Sequence, residues 1–291
     1  MTIKTLFEEK KPILSFEIFP PKPDADVSVV YRAIDGLVDL NPDFISVTYG
    51  ALGTSQGNTV EMASYIKNHH QKEALAHLTC IGNTKKEVDH TLDRLEQAGV
   101  SNILALRGDK PKGVVTGDFN YAKDLVHQAK QRNTFSIAAA CYPEGHLESP
   151  SPEMDILFIK EKVDLGVDFL ITQLFLDNDM FYDYYNKLRR NNINVPIVAG
   201  ILPILNRKQI ARITELSGCS LPPKFKRILE KYESDELALR QAGTAYAIEQ
   251  IIDLFSWGID GIHLYTMNRI DTTREIINSI HYIKNHLRRM K

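Results

Sequence analysis

ALAHLTCIGNTKKEVDHTLDRLEQAGVSNILALRGD, residues 74–109, sets two short apolar runs, 74–80 and 102–109, on either side of an amphipathic segment with helical periodicity. Both runs end in polar side chains. The same unit repeats in both directions along the chain. ILSFEIFP (13–20) and FISVTYG (44–50) precede it, and SIAAACYP (136–143), FLITQLFL (169–176), PIVAGILP (196–203) and GIHLYTMN (261–268) follow. The spacing is about thirty residues, the length of one strand–helix unit, except before the last run. Such alternation repeated eight times predicts an α/β fold, a closed parallel (β/α)8 barrel of the TIM type. Active sites of these barrels lie at the carboxyl ends of the strands. There this chain places Glu17, Thr48, His77, Arg107, Asp109, Tyr142, Gln173 and Arg269, too polar a set for a buried core. The expectation is an enzyme.

A chain of 291 residues suits one barrel with an insertion, and the regular spacing makes 1–291 a single catalytic domain. Residues 1–12 read as a short leading helix or arm. The insertion falls between the seventh and eighth strands. NRKQIARITELS (206–217) is the expected crossover helix, and 222–234 and 235–258 read as two extra helices. Asp235 is the expected N-cap of the second and Gly258 its stop. Residues 109–118 and the proline-rich 143–153 read as ordered loops near the barrel mouth. The last helix, 271–291, carries Ile276, Ile277, Ile280, Ile283 and Leu287 at helical spacing, a barrel-packing face.

Composition narrows the function class. Hydrophobic residues make up 43% and charged residues 25%, with a formal net charge of -2 and a pI near 6.5. No bulk field draws such a chain to nucleic acid or to an anionic membrane. No apolar run is long enough to span a bilayer and residues 1–12 lack a signal-peptide core, so the expected location is the cytoplasm. Cys80, Cys141 and Cys219 show no metal-ligand spacing and read as reduced, mostly core thiols. No metal is expected: His77, His146 and His263 lie far apart, without HxxxH or HExxH spacing. GxGxxG, GxxxxGK[ST] and GxSxG are all absent, so any nucleotide cofactor must bind through barrel loops.

Several positions carry chemistry on their own account. Glu17 sits among Phe16, Ile18 and Phe19, and burial there favours its protonated form, which suits a general acid. The competing reading pairs it with an Arg or Lys lining the barrel. Arg107-Gly108-Asp109 offers a cation, close backbone approach and an anion in one turn; an Arg–Asp ion pair closing that turn is the alternative. Gln173 presents a donor and an acceptor, enough to read a heterocycle edge. Tyr265 and Arg269 can hold a planar anionic ligand by stacking and charge.

SFEIFPPK (15–22), FISVTYGALG (44–53), AHLTCIG (76–82), ILALRGDKP (103–111), AACYPEGH (139–146), ITQLFLD (171–177), GILPI (200–204) and HLYTMNR (263–269) together resemble the methylenetetrahydrofolate reductase family, in its order and over nearly the whole chain. The form resembled is the bacterial type, the catalytic barrel alone. The resemblance implies a flavoprotein oxidoreductase that binds FAD. It would use NADH or NADPH to reduce 5,10-methylenetetrahydrofolate to 5-methyltetrahydrofolate by ping-pong hydride transfer, supplying methyl groups for methionine synthesis. Glu17 matches the general acid that protonates the folate as its ring opens to a 5-iminium cation, and Asp109 the carboxylate that stabilises this cation. Thr48, Tyr49, Ala51, His77, Arg107, Gly108, Asp109, Ala122, Tyr142, His146, Asp155 and Lys162 fall on FAD-contacting positions. Gln173, Gln209, Tyr265 and Arg269 fall on positions that contact folate or nicotinamide, or lie in the same motif. A homo-oligomer is also implied, since the family forms dimers and tetramers.

Three positions depart from the resemblance. Ile213 stands where some members have a stacking phenylalanine, and Phe158 and Glu161 where some have polar or basic FAD contacts. The chain ends after the barrel, so control by S-adenosylmethionine through a regulatory domain is not expected. Competing readings are another flavin barrel oxidoreductase such as a proline-dehydrogenase-like protein, a barrel kept as a binding scaffold, and a reductase fed by a redox protein instead of a nicotinamide.

Overall fold

A computed structural model describes residues 2–21, 26–49, 56–109 and 117–290. Eight strands among them close into a barrel in chain order: β1 (Ile13–Ile18), β2 (Phe44–Val47), β3 (Glu73–Thr79), β4 (Asn102–Leu106), β5 (Ser136–Cys141), β6 (Phe169–Thr172), β7 (Ile197–Ile201) and β8 (Gly261–Tyr265). Every neighbouring pair is parallel, and β1 closes on β8. The predicted TIM-type (β/α)8 architecture is the observed one.

The helices are α1 (Ile3–Glu9), α2 (Val27–Val38), α3 (Gln56–Asn68), α4 (Lys85–Gln97), α5 (Ala122–Lys130), α6 (Pro152–Asp164), α7 (Asn178–Arg190), α8 (Arg207–Ser217), α9 (Pro223–Tyr232), α10 (Glu236–Trp257) and α11 (Ile270–Arg289). The insertion before β8 is indeed helical. Asp235 caps α10 by accepting from the Leu237 and Ala238 N–H groups, and Gly258 ends it at φ 98°. Gly243 allows α10 to approach the Ile204 carbonyl more closely than any side chain would permit. The 143–153 segment is ordered and ends at Ser151, whose hydroxyl caps α6. Residues 110–116 of the other expected loop lie outside the described residues.

Alternate residues on each strand face opposite ways, and two apolar clusters record the division. Leu14, Phe16, Ile18, Ile45, Val47, Ala76, Ile103 and Ile262 pack outward under the helices. Ile13, Phe44, Leu75, Leu104, Ala138, Phe169 and Val198 pack inward with Ile3, Leu6 and Phe7 of α1. The leading helix therefore plugs the amino-terminal end of the barrel.

Polar contacts fix the plug. The Ile3 N–H donates to Asn102 Oδ1 at 2.7 Å, satisfying a helix-terminal donor inside the barrel. Three aspartates stand immediately before β2, β6 and β8. Asp43 accepts from the Leu14 N–H at 2.7 Å, Asp168 from Ile137 at 2.9 Å and Asp260 from Ile197 at 2.9 Å. Each also pairs with a lysine of the arm: Lys10 with Asp43 at 2.8 Å, Lys4 with Asp168 at 3.0 Å and Lys11 with Asp260 at 2.7 Å. Arg288 of α11 also pairs with Asp43.

Removing the Asp43 carboxylate leaves a buried N–H unsatisfied and two cations without it. Asp43→Ala should lower unfolding free energy by about 3–5 kcal/mol in urea titrations. A loss below about 1 kcal/mol would mean that the apolar plug alone holds the arm.

Candidate active site

Following the inward positions upward from the apolar floor, the residues turn polar: Ser15 and Glu17 on β1, Ser46 on β2, His77 on β3, His263 and Tyr265 on β8. Glu17 lies level with Ser46 on one side and Tyr265 on the other. Its backbone is fixed from beyond β8, where the Thr266 hydroxyl donates to the Glu17 carbonyl at 2.6 Å. Asn268, at φ 58°, exchanges two 2.9 Å hydrogen bonds with the Phe19 backbone. The seam between first and last strand is thus stitched at the mouth, directly beside Glu17.

The Glu17 side chain is 6% exposed. No Arg or Lys among the described residues pairs with it. Its nearest ionisable neighbours are two imidazoles: His77 Nε2 at 3.5 Å and His263 Nε2 at 3.7 Å, both from Oε2. Burial holds His77 down to about 4, against the pull of Glu17, so the ring is neutral at physiological pH. His77 Nε2 makes no hydrogen bond. Tyr265 is pushed well above its usual range by burial, and its hydroxyl donates to the Thr172 carbonyl at 2.7 Å. A side chain at Gly200 would collide with that Tyr265 ring, at 2.7 Å.

A second polar group lines the mouth over β4, β5 and α6. Arg107 makes a two-pronged pair with Glu148, at 2.8 and 2.6 Å, and donates to the Gly108 carbonyl at 3.2 Å. The turn is therefore not closed by an Arg107–Asp109 pair; Asp109 is exposed at the rim. Gly108, at φ 87°, adopts the conformation that favours glycine. Tyr142 is raised to about 12 by burial, and its ring meets His146 edge-on with centroids 4.6 Å apart. On α6, burial raises Asp155 and lowers Lys162, pushing both toward neutrality. Lys162 donates to the Ala140 carbonyl at 2.9 Å, while Asp155 Oδ2 is buried without a hydrogen-bond partner.

The remaining sequence-predicted residues divide. Thr48 and Tyr49 are half-buried at the end of β2, and Ala122 opens α5. Ala51 lies outside the described residues. Gln173 and Tyr142 both line a small cleft of about 10 Å³, with Pro143, Leu174 and Cys219. Gln173 Oε1 accepts from the Leu174 N–H at 2.9 Å. Gln209 is spent on its own turn, accepting from the Leu205 N–H at 2.9 Å and donating to the Pro203 carbonyl at 3.3 Å. Arg269 is exposed just before α11. Ile213 is buried in a satellite cluster with Leu202, Ile210, Phe225 and Tyr246. Glu161 pairs with Lys123 at 2.9 Å, and Phe158 stays partly exposed.

Sequence reasoning passed over Ser15, Ser46 and Glu148. Counting back by two from Glu17 and Thr48 finds both serines, because strand faces repeat with that period. Glu148 gave no comparable signal, since its partner lies 41 residues away across a loop.

The sequence profile of methylenetetrahydrofolate reductase matches residues 2–281. The chain belongs to this family. The 5,10-methylenetetrahydrofolate reductase of Escherichia coli (strain K12) is 33% identical over 267 residues, which cover 92% of this chain and 90% of the relative. Methylenetetrahydrofolate reductase (NADH) 1 of Arabidopsis thaliana is 36% identical over 282 residues, 91% of this chain but 48% of the relative. The chain thus spans about half the length of its plant relatives and nearly all of its bacterial ones. Among solved structures, a Clostridium thermocellum protein described as binding two copies of 5-methyl-5,6,7,8-tetrahydrofolic acid has a TM-score of 0.62 at 15% identity, over 97% of this chain and 98% of that one. 2,3-Dimethylmalate lyase has a TM-score of 0.56 at 13% identity, over 96% and 85%. Such low identities speak for the fold.

His77 gives the site a measurable pH signature. Its folded value lies below its unfolded one, so the unfolded chain binds the proton first on acidification. The neutral ring's contribution is complete above about 6.5, is lost as pH falls, and levels off below about 4. Urea titrations at pH 7 and pH 4.5 should show His77→Phe losing about 2–3 kcal/mol less than the parent. Equal losses would mean that His77 is protonated in the folded protein.

Proposed function

We propose that the protein is an FAD-dependent reductase that converts 5,10-methylenetetrahydrofolate to 5-methyltetrahydrofolate with NADH or NADPH as donor, the two substrates using one face of the site in turn. The carrying observation is Glu17: a buried carboxyl at the carboxyl end of β1, in the mouth of a barrel of this family, held by imidazoles instead of a fixed cation. A carboxyl so placed can give up and regain a proton without breaking a structural ion pair.

The residues present suit a polar, planar cofactor. His77 Nε2 and Asp155 Oδ2 are buried without hydrogen-bond partners, and such groups in native sites call for a bound polar partner. Thr48, Tyr49, His77, Arg107, Gly108, Asp109, Ala122, Tyr142, His146, Asp155 and Lys162 would hold FAD, together with Ala51. When bound, FAD supplies two-electron storage, taking a hydride from the nicotinamide and returning it to the folate.

The chain's own work is acid catalysis and charge placement. Glu17 gives its proton to the folate as the five-membered ring opens. Asp109, on the rim, sets a negative charge where the 5-iminium cation forms. Each turnover consumes one hydride and one proton, so Glu17 must be reprotonated. No hydrogen bond among the described residues engages the Gln173 Nε2, which leaves its amide hydrogens to meet an acceptor edge of either substrate. Gln209 reaches a ligand only by surrendering its bonds to Leu205 and Pro203; held as it is, it shapes the turn at the mouth.

An anaerobic titration tests this reading. FAD-loaded protein should lose its visible flavin absorbance with NADH or NADPH and recover it with methylenetetrahydrofolate. Protein that binds no FAD would refute the proposal. Glu17→Gln should keep nicotinamide oxidation within about twofold yet slow folate reduction about 10²–10⁴-fold, the usual worth of a general acid. Similar losses in both halves would overturn the role of Glu17. Asp109→Asn should slow folate reduction more than it weakens FAD retention; unchanged folate kinetics would exclude the electrostatic role.

A further inference from the structure

The foot of the barrel, at the end opposite Glu17, gathers more positive charge than its nearest carboxylate can answer. Asp43, just before β2, is already divided among three donors. Oδ1 pairs with Lys10 at 2.8 Å, and Oδ2 accepts from the Leu14 N–H at 2.7 Å and from Arg288. Two further lysines stand in the same place. Lys72, just before β3, donates to Asn41 Oδ1 at 2.6 Å, two residues short of Asp43. Lys284 lies on α11 one helical turn before Arg288, on the face that continues from Ile280.

Lys284 is the member without a partner. It is 5% exposed, yet no hydrogen bond or ion pair among the described residues engages its ammonium. The charges around it are Arg288, Asp43, Lys10 and Lys72, of which only Asp43 is negative. Burial pushes Lys284 below the usual lysine range, and Arg288 pushes the same way. Lys72 is lowered by burial as well. Burying an unpaired ammonium among like charges is costly, and no neighbouring side chain relieves it. The cluster is not sealed, however. The Lys10 side chain is 36% exposed and that of Arg288 19%, so an ion from solvent can enter along that edge.

Charge and donors define the class of ligand. Four cations against one carboxylate leave a formal excess of three positive charges. The ammonium groups of Lys10, Lys72 and Lys284 come from three separate segments, each a point charge with several donors. The fitting anion therefore accepts in several directions at once. A tetrahedral oxyanion with two negative charges does so, whereas chloride brings less charge and a carboxylate a single flat edge.

We propose that Lys10, Lys72, Lys284 and Arg288 form a binding site for a phosphate dianion, either the free ion or the head of a phosphate monoester. The anion draws together the leading arm, the segment before β3 and the last helix, with Lys284 as the buried donor beneath it. These segments meet only in the folded chain, so the anion binds that state and stabilises it in proportion to its concentration.

Thermal unfolding of the FAD-loaded protein tests the site, the cofactor keeping phosphate from answering at the mouth. Sodium phosphate is compared with sodium chloride at matched ionic strength, and glycerol 3-phosphate serves as the ester. Saturating phosphate should raise the midpoint by about 3–6 °C over chloride. Lys284→Met should lose about two thirds or more of that shift, while its midpoint in chloride stays level or rises, because a buried unpaired cation has gone. Lys72→Met should cut the shift by about half, and decides alone if Lys284→Met does not fold. An ester that matches the free ion assigns the site to phosphate monoesters, and an effect confined to inorganic phosphate assigns it to the ion. A midpoint no higher in phosphate than in chloride means charge screening only and overturns the site. A shift undiminished in both variants places the anion elsewhere and overturns it equally. Failure to load FAD would remove the reductase reading and leave this comparison, run on the apoprotein, intact.

Discussion

Phe44, Phe169, Leu75 and Leu104 fill the lower interior of the barrel, and Leu6 and Phe7 of the leading helix seal it from below. Everything above depends on this filling. Eight tilted strands enclose a space just wide enough for side chains, and only tight apolar packing there keeps water out. Because the floor is dry and closed, the polar layer above it opens one way only, toward the mouth. Ser15, Ser46, His77, His263 and Glu17 therefore form a graded interior, apolar at the base and ionisable at the top.

A carboxyl in such a place could have been neutralised by a lysine or arginine, at the cost of its usefulness as an acid. Here the partners are two imidazoles of different character. His77 is kept neutral by burial, while His263 is oriented by hydroxyls at both nitrogens. Strong fixed charge sits elsewhere: Arg107 with Glu148 on the rim, and the three aspartates with their lysines at the far end. The three aspartates and their lysines thus serve stability at the end of the barrel opposite the site, the division expected of this architecture.

The barrel was legible because its signal is global: eight apolar runs and the helices between them agree on one answer. The candidate site was legible wherever a residue ends a strand, as Glu17, Thr48, Arg107 and Gln173 do. What escaped was the state of each side chain. Periodicity places Gln209 at the start of a helix, but not its amide on the Leu205 and Pro203 backbone. Asp109 follows Arg107 almost directly, yet the guanidinium turns to Glu148 in a distant loop. His263 stood out in the sequence only as one of three histidines too far apart to hold a metal, because its partners Ser15 and Ser46 become neighbours only when β8 closes on β1.

The leading helix illustrates how far such closure reaches. Its segment makes a hydrogen bond 99 residues away at Asn102 and an ion pair 249 residues away at Asp260. The second exists only when the last strand does. Residues 3–11, early in the order of synthesis, therefore complete their contacts only once β8 is in place, and until then Leu6, Phe7 and the open floor lack part of their final shelter.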